Sequence, residues 1–340
     1  MRIALVAVAL MQAAGPAAMN STLTAVPGIK VGHYTLKERP TGCTVILAEA
    51  GATAAVDVRG AAPATRETDL LDPVNAVQQA HAIVLSGGSA FGLDAASGVM
   101  RYLEEKKIGY RFGGAHVPIV PAASLFDLGV GDPLIRPTAD CGYRAAQAAS
   151  DAPVGEGSVG AGAGATVGKV AGLTRAMKGG VGSASIELPG GIVISALVIV
   201  NAVGDVVDPA TGRVVAGVRT SDGRALADAR RLVRQGAVAL GGAPNNTTLG
   251  VIATNAALTK TEALRVAQVA HDGYARAIYP IHTPVDGDTI FALATGARQG
   301  PVNAGLIAQA AAIVMADAIV RAATQATGLP NLPAVRDLTK

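Results

Sequence analysis

The chain alternates between short uncharged hydrophobic runs and polar or glycine-rich stretches. TLGVIAT (248–254), SASIEL (183–188), GIVISALVIVN (191–201), HAIVLSGG (81–88) and TIFALAT (289–295) are β-branched, brief and bounded by turn residues, the pattern of buried strands. GIKVGHYT, TGCTVILAEA and ATAAVDVRG, at 28–60, predict three consecutive strands joined by glycine-containing turns. VPIVPAASLFDLGV (117–130) predicts a strand with prolines at its edges, and DVVDPATGRVVAGV (205–218) a hairpin. Helical periodicity appears over 91–107, in ADCGYRAAQAAS (139–150), and from Thr259 to about residue 277, where T-x-x-E forms a capping box with Glu262. The Ala-rich segment 304–327 is apolar on most faces, which predicts a buried helix stopped by Gly328 and Pro330. RALADARRLVRQG (224–236) reads as a charged surface helix or a mobile segment, and the chain shows no internal repeat. Runs of strands with a few long helices and no regular βαβ alternation predict a layered α/β or α+β fold in a single domain.

Composition narrows the function. With no Trp, 3% aromatic residues and a net charge of +3 without a basic stripe, the chain lacks a nucleic-acid surface. Its 50% hydrophobic content rests largely on Ala and Val. Cys43 and Cys141 match no metal spacing and read as buried small hydrophobes. The five histidines show no H-x-x-x-H spacing, and GEGSVGAGAGATVGK, ending at Lys169, fails the phosphate-loop pattern. No cofactor and no metal are therefore expected. Residues 1–18 read as a short secretory signal or as a start placed too early, with Met19 the more natural beginning. The first reading implies a periplasmic or secreted protein and the second a cytoplasmic one. Hydropathy suggests no segment beyond the N-terminus that crosses a membrane.

One junction carries chemistry. The strand at 248–254 is led in by Asn245-Asn246-Thr247-Thr248, two amides followed by two hydroxyls. Breakage of the Asn246–Thr247 bond would make Thr247 an N-terminal residue whose α-amine, with a pKa of roughly 7.7–8, lies within reach of its own Oγ. Asp286 and Asp288, flanking a glycine in HTPVDGDT, could hold that ammonium. Asn201, an amide closing the most apolar strand, could donate to an oxyanion; Lys169 could polarise Oγ or lower the amine pKa.

These residues bring a resemblance with them. NTTLGVIATNA, HTPVDGDTIFALATG, SGGSAFGLDAASGV, AGAGATVGKV and TAVPGIKVGHYT together resemble the DmpA family of self-cleaving aminopeptidases. That family includes β-peptidyl aminopeptidases and the nylon-oligomer hydrolase NylC, and is related to ornithine acetyltransferases. The resemblance runs from Met19 to near the end of the chain. It implies a four-layer αββα sandwich similar to N-terminal-nucleophile hydrolases. It also implies self-cleavage into an α chain ending at Asn246 and a β chain starting at Thr247, and assembly as homo-oligomers, often tetramers of αβ units. The residue set Thr247, Lys169, Asn201, Asp286 and Asp288 is most similar to NylC. Phe126 stands where the family has a tyrosine that assists at the oxyanion, so it is a candidate substrate-pocket residue. The implied activity is hydrolysis of small peptides, amino-acid amides or β-peptides. The alternatives are hydrolysis of 6-aminohexanoate oligomers and acyl transfer of the ornithine acetyltransferase type.

Overall fold

The computed structural model describes residues 20–237 and 246–338. Residues 1–18, read above as a signal or a misplaced start, lie outside the described residues. Nine strands form one continuous hydrogen-bonded sheet. In chain order they are β1 (Lys30–Thr35), β2 (Gly42–Val58), β3 (Thr65–Arg66), β4 (Gln79–Ser86), β5 (Ala122–Ser124), β6 (Gly180–Leu188), β7 (Ile192–Asn201), β8 (Thr247–Ala256) and β9 (Thr289–Arg298). Their spatial order is β6-β7-β8-β9-β2-β4-β5-β3, with β1 paired to β2. The four long helices are α1 (Ala95–Glu105), α2 (Ala139–Gln147), α3 (Lys260–Ala277) and α4 (Ala304–Thr324).

The sheet is folded over on itself, and β2 is the hinge. The sequence predicts two strands here with a turn between them; the chain instead makes one 17-residue strand. Gly51 takes a left-handed φ of +83° and the register against β4 shifts between Leu47 and Ala52, so the glycine makes a bulge rather than a reversal. Residues 42–47 of β2 pair with β1 and residues 43–47 with β4, β4 pairs again beyond the bulge at Ala52 and Thr53, and residues 53–58 pair with β9. Cys43, Val45 and Leu47 accordingly pack against α1 and α2, Ala55 joins the core beneath α3 and α4, and Ile46, Ala48, Ala52 and Ala54 lie between the sheets.

Three apolar cores therefore separate four layers, α3/α4, sheet, sheet, and α1/α2. Along β7, Ile192, Ile194, Ala196, Val198 and Val200 face the helices, while Leu197 and Ile199 face the other sheet. Strand β8 alternates likewise, with Leu249, Val251 and Ala253 turned between the sheets. Strands β8 and β9 are parallel, which requires a crossover, and α3 supplies it. Helix α3 starts with the expected capping box, Thr259 and Glu262 satisfying each other's backbone N–H groups. Helix α4 is long and apolar enough to cross a membrane, contrary to the hydropathy reading above, but 67% of its apolar window is buried in this layer.

The remaining predictions resolve into shorter elements. The 117–130 strand shrinks to three residues, the 205–218 hairpin forms as Asp205–Val207 against Val214–Ala216, and 224–236 contains only the helix Ala229–Arg234. Cys43 and Cys141, read as separate hydrophobes, are bonded to each other across the layer between β2 and α2. Beside them α1 and α2 cross at two glycines. A Cβ on Gly98 would lie 1.7 Å from the Ala139 carbonyl oxygen, and one on Gly142 would lie 1.9 Å from that of Ala95. Backbone cannot give way as a flexible side chain does. We expect Gly98→Ala to lower stability by about 1–3 kcal/mol, the range for overpacking, read as a fall in the thermal midpoint against an unchanged control, Glu104→Ala, at an exposed position of the same helix.

Candidate functional site

Thr247 is the first residue of β8, and register pairs it with Asn201, the last residue of β7. Strand periodicity turns the Thr247 side chain to the same face as Leu249 and Val251, so it enters the space between the sheets at their open edge. Thr247 is only 3% exposed. Thr247 Oγ donates a short hydrogen bond to the carbonyl oxygen of Asn246. The same oxygen accepts the backbone N–H of Gly287 at 3.1 Å. A Cβ on Gly287 would sit 3.0 Å from Thr247 Oγ and 2.7 Å from the Ala62 carbonyl oxygen, so only glycine fits beside the hydroxyl.

The glycine-rich stretch delivers the lysine. Its carbonyls are gathered by a second, fully buried lysine: Lys178 Nζ donates to Ala163 O and Ala165 O, both at 2.7 Å. From that fixed loop Lys169 Nζ reaches the main-chain and side-chain oxygens of Asn201, each at 2.9 Å. Burial brings the Lys169 amine down to about 7, against the opposing pull of Asp286 and Asp127. Asn201 is itself held on two sides: its side-chain oxygen also accepts the Thr166 N–H (3.0 Å) and its Nδ2 donates to the Phe126 carbonyl (2.9 Å), while the N–H on the Asn246 carbonyl is that of Gly287.

The acidic pair divides its work. Asp288 accepts the Thr248 N–H through Oδ1 at 2.7 Å and the His282 N–H through Oδ2 at 3.0 Å. Asp286 takes the Thr283 N–H (3.0 Å) and hydroxyl (2.5 Å) on Oδ2. Its Oδ1 is buried and has no hydrogen-bond partner among the described residues. Burial, then the charge of Asp288, push the Asp286 carboxyl up to about 6. An isolated carboxylate oxygen, one bridge pair away from Asn246, is an acceptor suited to a cation appearing at Thr247. Phe126 is half-buried and, with Thr166, Lys169 and Leu173, lines a cavity of about 30 Å³. That space admits a water and no peptide. A larger cavity of about 710 Å³, lined by Glu49, His81, Tyr110 and Arg111 among others, shares no residue with this site.

The profile of peptidase family S58 matches residues 21–332. The chain belongs to peptidase family S58. An uncharacterized aminopeptidase of Mycobacterium tuberculosis (strain ATCC 25618 / H37Rv) is 44% identical, covering 94% of this chain and 98% of that one. A 6-aminohexanoate-oligomer endohydrolase of Kocuria sp. (strain KY2) is 33% identical over 87% of this chain and 84% of its own length. The solved L-aminopeptidase D-Ala-esterase/amidase of Ochrobactrum anthropi, a variant of the Ntn hydrolase fold, superposes with a TM-score of 0.67 at 20% identity, covering 95% of this chain and 92% of that one. The fold is thus the α+β architecture of the Ntn hydrolases, and this S58 member is a hydrolase of peptide or amide bonds.

Sequence reasoning missed the groups that hold this S58 site in place. Lys178 offers only a lone cation between apolar strands as a signal. Asp127, which follows Phe126, is fixed by the buried guanidinium of Arg39 at 2.9 Å and by Thr41 Oγ at 2.6 Å; Gly88 of the GGSAFG stretch donates its N–H to the same carboxylate. That stretch therefore serves the scaffold. For Asp286 the pH effect has a definite sign. Its folded pKa lies above the ordinary aspartate value of 3.8, so its contribution to stability is lost as pH rises through about 6 and regained as pH falls. Asp286→Asn should remove this dependence: compared in a Thr247→Ala background, which keeps the chain in one piece, the stability difference should widen in favour of the Asn variant from pH 5 to pH 8, measured by denaturant melts.

Proposed function

We propose that this chain is a self-activating amide hydrolase whose nucleophile is Thr247, exposed as an N-terminus by cleavage of the Asn246–Thr247 bond. The observation that carries this reading is the Thr247 hydroxyl held on the carbonyl of its own preceding residue, with the Gly287 N–H on the same oxygen. In the first step Oγ bonds to the Asn246 carbonyl carbon. The carbon–nitrogen bond then breaks, and the hydroxyl proton passes to the departing amine. Lys169, whose amine burial brings down to about 7, is the proposed base for that transfer. Gly287 N–H stabilises the oxyanion as it forms. Water opens the resulting ester, leaving a carboxylate on Asn246 and a free hydroxyl and amine on Thr247. The new ammonium is proposed to pair with Asp286 Oδ1, which has no partner among the described residues.

In the mature enzyme the α-amine takes the Oγ proton while Oγ attacks a substrate amide, and hydrolysis of the acyl-enzyme completes the cycle. The water-sized cavity beside Lys169 supports the view that the uncut chain is closed to exogenous amides. Small peptides, amino-acid amides or β-peptides are the proposed substrates, supported by the aminopeptidase relative. Hydrolysis of 6-aminohexanoate oligomers is a second reading, favoured by the residue set Thr247, Lys169, Asn201, Asp286 and Asp288 and by the Kocuria relative. Cleaved units are proposed to assemble as homo-oligomers, which light scattering of the processed protein tests.

Intact mass decides the central point. The wild type should separate into two fragments whose junction is Asn246–Thr247, and Thr247→Ala should stay a single chain near 33.8 kDa. A cut Thr247→Ala chain would exclude Thr247 as the nucleophile. Gly287→Ala, which crowds Oγ and displaces the N–H donor, should slow cleavage about 10²–10³-fold, followed by gel densitometry. The cleavage rate should rise between pH 6 and pH 8 as Lys169 loses its proton and then level off; Lys169→Met should flatten the profile as well as lower it.

A further inference from the structure

The loop that carries Asp286 and Asp288 begins with a histidine to which the mechanism above gives no part. His282 sits in a left-handed backbone conformation, φ 56°. Its N–H lies 3.0 Å and its Nδ1 2.9 Å from Asp288 Oδ2, so two donors of one residue converge on one carboxylate oxygen. A carboxylate only accepts, which places the ring hydrogen on Nδ1. Nε2 is buried without a partner among the described residues. The ring is held from behind. His271 on α3 crosses it edge-to-face with ring centres 4.9 Å apart, and His271 in turn has its Nε2 3.1 Å from the Asp57 carbonyl oxygen on β2. Tyr274, one turn along α3, closes the cluster at 6.1 Å from the His282 ring.

We propose that His282 is a positioning residue for Thr247, acting through Asp288. With Oδ2 pinned by His282, Oδ1 of the same carboxylate is aimed at the N–H of Thr248, the first amide after the nucleophile, at 2.7 Å. Released from His282, Asp288 would be free to turn away from Asp286, and the entry of β8 would lose its acceptor. Displacement of a reacting group by about 1 Å costs on the order of 10²-fold in rate. The inference rests on the Thr247 reading, and it assigns a task to a side chain that need not touch the substrate.

The conformation of His282 supplies a selective test. Asparagine places an amide N–H close to the position of Nδ1 and tolerates positive φ. Glycine tolerates the same φ with no donor, and glutamine approaches the histidine volume with its donor one bond further out. His282→Asn should therefore cleave itself and turn over an amino-acid amide within about threefold of wild type. His282→Gly and His282→Gln should both be at least about 30-fold slower in kcat with little change in KM. In a Thr247→Ala background, which removes cleavage from the comparison, amide exchange of the peptide spanning 247–253 should rise in the glycine variant and stay unchanged in the asparagine variant. A glycine variant as fast as wild type, or an asparagine variant as slow as glycine, would overturn the role of His282 while leaving Thr247 untouched. A wild type that never cuts at Asn246–Thr247 would overturn the Thr247 reading itself, and the His282 assignment with it.

Discussion

The register of β8 against β7 is the constraint on which the rest of the site depends. It pairs Thr247 with Asn201 and turns Leu249, Val251 and Ala253 into the space between the sheets. A slip of one residue would carry those three side chains to the helix side and bring Gly250 and Ile252 inward in their place. The apolar pattern of the strand thus holds the hydroxyl at the open edge of the sandwich, far more strongly than any contact of the hydroxyl itself. Beyond the last apolar residue, polar groups take over, and each is placed by a backbone that the cores have already fixed.

Buried charge is the second organising feature. Lys169, Lys178, Arg39, Asp127, Asp286 and Asp288 are all withdrawn from water within neighbouring loops. Most of their hydrogen-bonding capacity is met by main-chain groups, as when Lys178 collects carbonyls of the glycine-rich stretch and Asp288 collects amides. Glycine there lets the chain approach an ammonium closely without side chains in the way. The exception is Asp286 Oδ1, which has no donor among the described residues. Low local dielectric makes such an atom expensive, so a cation appearing beside it would relieve the precursor.

Elements whose signals are local were legible in the sequence. The capping box at Thr259 and Glu262 starts α3 one residue later, and the alternating run of β7 extends to Asn201 as read. What escaped depends on distant neighbours. Gly51 looks like a turn until β4 is seen to pair with β2 on both sides of it and β9 to take up the far end. Cys43 and Cys141 are 98 positions apart, and only the packing of α2 on β2 brings them together. At the site, Thr247, Asn201, Lys169 and the two aspartates were named from strand ends and from family resemblance. The Gly287 N–H is a backbone group that no side-chain pattern announces. Lys178 and His282 act on main chain or on another side chain, which leaves little trace in spacing.

Strand β8 lies inside the sheet, with β7 on one side and β9 on the other, while β7 and β2 belong to the segment before residue 247. A cut at Asn246 therefore falls at the edge of a central strand whose every neighbour remains in place. The two pieces would stay interleaved, yet the molecularity of folding would change. A single chain finds this topology once, in a unimolecular reaction, before the cut. Once processed and then fully unfolded, the two fragments could return only by a concentration-dependent encounter, with β8 and β9 inserting between β7 and β2. The same covalent step that arms the nucleophile would make the native state a product of history.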